Sequence, residues 1–202
     1  MDISKIKKYT IAGMQNITGN PVDPIILEQE IDEIAKIEAL SWIRPQADSL
    51  LCLLPSAQAS NSARQIPIFH RWSWAKHFPK THILCLSDPG LYYSDVHAAW
   101  FQSPNDIDIF ERLAKFIKII ANNLEVSGEK ITIYGSSMGG FGALMVGTMI
   151  KNSLVIAEVP QIDLRQYPVK AAINSIELNY FLENPLMRII WIIRGELILS
   201  IE

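Results

Sequence analysis

A chain of 202 residues, 49% hydrophobic and 19% charged, has the make-up of a globular protein with room for one sizeable core. A formal net charge of −3 leaves no basic surplus to neutralise phosphates, which excludes a general nucleic-acid binder. Behind Met1-Asp2-Ile3-Ser4-Lys5 there is no apolar signal segment, and no run of 18 apolar residues occurs, so neither a leader nor a membrane span is expected and a cytoplasmic location is.

In chain order, residues 8–12 read as a first strand and 19–24 as a turn cluster. From Ile25 to Trp42, Ile26, Leu27, Ile31, Ile34, Ala35 and Leu40 approximate helical spacing, with Glu28, Glu30, Asp32 and Glu33 between them, which predicts an amphipathic helix. Residues 50–54 form an apolar run before Pro55, the pattern of a parallel strand buried on both faces. Cys52 and Cys85 each fall in such a run and read as buried free thiols. The four histidines, His70, His77, His82 and His97, share no ligand spacing with one another or with cysteine, so no metal is expected.

A polar stretch at 58–64 leads to Phe69-His70-Arg71-Trp72-Ser73-Trp74. These aromatics either line an acyl or glycan pocket or close the edge of the sheet as a satellite cluster. Residues 81–88 make another strand, ended by Pro89-Gly90. Tyr92, Tyr93, Asp95, His97, Trp100 and Phe101 follow, next to the C-terminal edge where ligands of open parallel sheets bind. Trp72, Trp74 and Tyr92 are the candidate substrate contacts. Residues 106–124 have a strong helical period, with Asn105 or Asp106 as cap.

Residues 130–144 then read as a buried strand, a tight turn and a helix. Gly135, Ser137 and Gly139 fit Gly-x-Ser-x-Gly, the nucleophile elbow. A serine that attacks an acyl carbon must stand clear of the strand presenting it, so the backbone turns sharply, and glycines two residues either side avoid Cβ collisions. The helix N-terminus aimed at the serine favours negative charge there. A glycine-rich turn cradling a phosphate remains the other reading, although the glycine spacing is wrong for a dinucleotide site. A small-residue helix over 140–151 and a strand over 154–159 complete a parallel α/β pattern with helices on both faces.

The string Gly-Ser-Ser-Met-Gly-Gly-Phe-Gly-Ala-Leu, residues 135–144, resembles the elbow of the α/β-hydrolase superfamily, of serine esterase and acyltransferase type, and the resemblance extends over roughly 50–164. It implies an α/β-hydrolase-like fold and Ser137 as nucleophile, with no cofactor. It also implies an oxyanion hole from the Met138 N–H and an N–H among Ser56, Ala57 and Gln58. Substrates would be small-molecule or glycan acyl esters, with water or a sugar hydroxyl as acceptor; the oligomeric state is not implied. Asp163 is the candidate acid, ahead of Glu158 and Glu177. The superfamily order is serine, acid, histidine, yet every histidine here precedes Ser137. Three explanations stand: loss of the last strands and the histidine segment; His97 or His70 serving as base from upstream; or a non-catalytic binding or scaffold protein that keeps the elbow as architecture. The expected organisation is one domain, with 1–48 an N-terminal region, 49–164 the core and 165–202 an atypical tail.

Overall fold

Seven strands make one mixed sheet in the computed structural model, which describes residues 1–16, 23–104 and 107–180. They are β1 (Lys8–Thr10), β2 (Ile25–Glu30), β3 (Lys36–Trp42), β4 (Leu50–Leu54), β5 (His82–Leu86), β6 (Ile131–Ser136) and β7 (Leu154–Glu158), in the order β1-β2-β3-β5-β4-β6-β7. β5, β4, β6 and β7 run parallel, while β3 pairs antiparallel with both β2 and β5. The result is the mostly parallel α/β sheet that the element order predicts, except that the described α-helices all pack on one face of it and not on both.

Three α-helices, α1 (Ile109–Asn123), α2 (Met138–Gly147) and α3 (Lys170–Tyr180), feed the larger core on one face of the sheet. α1 buries Ile109, Phe110, Leu113, Phe116, Ile117 and Ile120, three to four residues apart, and the Asp108 carboxylate caps it by accepting from the Glu111 N–H at 2.9 Å. Asp108 thus takes the place assigned to Asn105 or Asp106, which lie outside the described residues. α2 begins directly after Ser137, two residues earlier than the pattern predicts, and ends at Gly147. The other face is packed by Phe69, Ala75, Trp74 and Ile3 against Ile26, Leu40, Leu51, Leu53, Ile83 and Cys85, with short 3-10 turns at Ile3–Lys5 and Trp72–His77.

The helix expected over 25–42 is instead the β2–β3 hairpin, in register from Ile25 opposite Ser41 to Glu30 opposite Lys36. The Asp32 carboxylate makes the turn by accepting from the N–H groups of Ile34 and Ala35 at 2.8 and 2.7 Å. Ile26 and Leu40 face one core; Ile25, Leu27, Ile37 and Ala39 face the other. A hairpin buried on both sides carries no alternation, so its apolar positions mimic a helical period. Cys52 and Cys85 are free, and they lie in cores on opposite faces of the sheet. Part of the 19–24 turn cluster and residues 181–202 of the atypical tail lie outside the described residues.

Candidate active site

The site forms where β4, β6 and β7 end side by side. β6 delivers Ser137 at φ 55° and ψ −122°, and α2 starts at the next residue. An L side chain rarely adopts that backbone, which here lifts Ser137 out of the strand into the first turn of the helix. The flanking glycines follow from contact. A Cβ on Gly135 would sit 1.9 Å from the Gly139 carbonyl oxygen, and one on Gly139 would sit 2.7 Å from the carbonyls of both Leu54 and Pro55. The Ser137 N–H donates to the Glu158 carbonyl at 2.9 Å and ties the turn to the end of β7.

Ser137 Oγ accepts a hydrogen bond from Gln161 Nε2 at 2.9 Å. Gln161 Oε1 in turn accepts from the indole N–H of Trp100 at 3.3 Å. Indole nitrogen only donates, so the amide is oriented with its NH2 toward the serine. Trp100 is itself fixed from the core. The buried Asp88 carboxylate accepts from the N–H groups of Gly90 and Phe101 at 2.9 and 3.1 Å, and it holds the left-handed Trp100-Phe101 pair in place. Burial raises the Asp88 carboxyl to about 7 against those hydrogen bonds.

The free N–H groups at the start of α2, that of Met138 first, point their dipole at the same spot. Of the three candidate donors in the loop after β4, the Ser56 N–H is taken by His70 Nδ1 at 3.0 Å and the Gln58 N–H by the His97 carbonyl at 2.9 Å. Ala57 is left as the member of that set whose N–H is not spent on another group among the described residues. The Ser56 hydroxyl donates to the Ser136 carbonyl at 3.0 Å, which joins the loop to β6.

Neither candidate base touches Ser137 Oγ among the described residues. His70 Nδ1 receives the Ser56 N–H, and burial with the neighbouring Arg71 charge lowers its pKa. His97 has its Nδ1 buried without a partner among the described residues. Asp163 lies in the turn after β7, where its carboxylate accepts from Gln166 Nε2 at 2.9 Å. Glu158 accepts from the Tyr134 hydroxyl, and Glu177 is an exposed residue of α3.

The aromatic segment splits. Trp74 packs on Tyr134 with centroids 5.1 Å apart, and the Arg71 guanidinium lies over both rings at 5.6 and 5.0 Å. Trp72 is 41% exposed. The hydroxyl of Tyr92, the other candidate substrate contact, donates to the buried Glu38 carboxylate, which also pairs with Lys8 and Lys36 at 3.2 and 3.3 Å. Gln161 is the contact that sequence reasoning passed over, since glutamine in a turn carries no motif. Among the described residues no three His, Cys, Asp or Glu side chains gather as a metal would require.

Solved structures share this arrangement of strands and helices. The capsule O-acetyltransferase of Neisseria meningitidis serogroup A aligns with a TM-score of 0.54 at 20% identity, over 76% of this chain and 61% of its own. An S-formylglutathione hydrolase from Agrobacterium tumefaciens aligns at 0.52 and 11% identity, over 80% and 68% of the two chains. The α/β hydrolase GrgF from Penicillium sp. sh18 aligns at 0.50 and 19% identity, over 78% and 52%. No protein-family model and no curated relative matches the chain. At such identities the likeness is one of architecture, and this chain has an α/β-hydrolase-like fold.

Proposed function

We propose that the chain is a serine-dependent acyl transfer enzyme, cleaving an acyl ester or passing its acyl group to a sugar hydroxyl. The observation that carries this reading is Ser137, held at φ 55° between β6 and the free N-terminus of α2. Ser137 Oγ attacks the ester carbonyl, the N–H groups of Met138 and Ala57 hold the developing oxyanion, and the alcohol leaves. Water or a sugar hydroxyl then takes the acyl group from the serine. An acetyl group on a glycan hydroxyl is the favoured substrate class, because the O-acetyltransferase above shares the fold and Trp72 offers an exposed aromatic face.

Among the four histidines of this sequence, His97 is the candidate proton acceptor. His70 and His82 spend their Nδ1 lone pairs on the backbone N–H groups of Ser56 and Arg44, and His77 is exposed in the 3-10 turn at Trp72–His77. His97 keeps a buried Nδ1 with no partner among the described residues, on the loop whose carbonyl holds Gln58 beside the site. Asp163 is the acid of the set. The test is peptide mapping after incubation with p-nitrophenyl acetate. The acetyl group is expected on Ser137, at a rate cut at least a hundredfold by His97→Ala and not by His70→Ala. An unmodified Ser137 in folded protein would favour a binding or scaffold role on the same fold.

A further inference from the structure

Among the described residues, the group that touches the Ser137 oxygen is an amide, not an imidazole. We propose that Gln161 is a catalytic hydrogen-bond donor, whose side-chain NH2 stabilises negative charge on Ser137 Oγ while that oxygen acts as nucleophile and again while it departs. The proposal rests on Ser137 being the nucleophile.

Three observations carry it. First, Nε2 lies 2.9 Å from Oγ, and Trp100 fixes the amide so that its donor end faces the serine. Second, the serine, the tryptophan that aims the amide, and a residue two positions before the glutamine all have left-handed backbones. Ser137 has φ 55°, Trp100 48° and Val159 41°. Val159 is β-branched and 74% exposed, so neither its own conformation nor burial of its side chain favours that φ. Strain of this kind persists where surrounding structure imposes it, and here it converges from three elements on one contact. Third, the orienting tryptophan is 1% exposed and anchored through the Asp88 turn, so the amide is held from the core and does not sample solvent freely.

The chemistry follows from the direction of the hydrogen bond. A donor on Oγ stabilises the alkoxide more than the alcohol, which lowers the energy needed to ionise the serine. Because Oγ accepts from Gln161, its own hydrogen remains free to point at the base. In acylation the Oγ–C bond forms, the ester C–O bond breaks, and the hydroxyl proton passes through His97 to the leaving alcohol. In deacylation the acceptor oxygen forms its bond to the acyl carbon, the Oγ–C bond breaks, and the amide holds the departing oxygen until it recovers a proton through His97. The N–H groups of the oxyanion hole serve the carbonyl oxygen; Gln161 serves the serine oxygen.

The experiment is the pH dependence of Ser137 phosphonylation by a fluorophosphonate probe on the full chain. In that reaction an Oγ–P bond forms, the P–F bond breaks, fluoride leaves and the hydroxyl proton goes to the base. Gln161→Met fills the same space without a donor. It is expected to label about tenfold more slowly near neutral pH, with its profile displaced to higher pH and its rate approaching wild type in alkali. Trp100→Phe should slow labelling less, in the same direction, because the amide is then free to rotate. If Gln161→Met does not fold, as judged by circular dichroism, Gln161→Ala takes its place. Wild-type rates for the glutamine variant across the whole pH range would overturn the donor role and leave Ser137 as nucleophile. A wild-type protein that never labels at Ser137 would overturn both.

Discussion

Gly135 and Gly139 can be nothing larger, because carbonyl oxygens of the same turn and of the β4 exit already occupy the space a methyl group would need. Gly135→Ala should therefore cost about 3 kcal/mol or more, read from urea unfolding, with Gly139→Ala somewhat less severe. Asp88 gives a second prediction at this scale. Its carboxyl is raised in the folded chain to about 7, above the ordinary 3.8, so the folded state binds more protons between those values. The stability it contributes is fully present below about pH 4 and is lost as pH rises through 7. Urea midpoints should show the advantage of wild type over Asp88→Asn shrinking from pH 4 to pH 7; a constant or growing advantage would contradict this. The candidate nucleophile and its glycines are legible in the sequence because the turn admits so few residue types. Gln161 is not, since its proposed role comes from the Trp100 indole that orients it and the Ser137 hydroxyl it meets, and neither contact is local in sequence.

At the scale of elements, legibility tracked amphipathicity. α1 has one face in the core and one in water, so its period is written in the chain, and the four parallel strands are short apolar runs bounded by breakers. β2 and β3 are buried on both faces around a polar turn, and their pattern misleads for that reason. α3 escapes notice because, among its described side chains, only Ile173, Ile176 and Tyr180 are buried. The Asp108 cap is separable from the site. Asp108→Ala should lower stability by about 1 kcal/mol in urea titrations and leave the labelling rate of Ser137 unchanged. A matching loss of labelling would mean that α1 and the elbow are coupled more tightly than their packing implies.

Across the whole molecule, the sheet separates structure from chemistry. Its parallel strands bury Cys52 and Cys85 completely, and burial pushes the Cys85 thiol up to about 12. Both should react with a thiol reagent only as fast as the protein opens; rapid labelling of the native protein would contradict the described packing. The C-terminal edge of the same strands gathers Ser137, Gln161, the Ala57 loop and the Trp100 loop. This much of the site was foreseeable from strand order, whereas the choice among four histidines was not. That choice turns on which lone pairs the backbone has already taken. The most direct test of the account is labelling of purified, folded protein by a fluorescent fluorophosphonate, with Ser137→Ala as control. The account predicts labelling at neutral pH that Ser137→Ala abolishes. Labelling of neither protein, or of both equally, would contradict it.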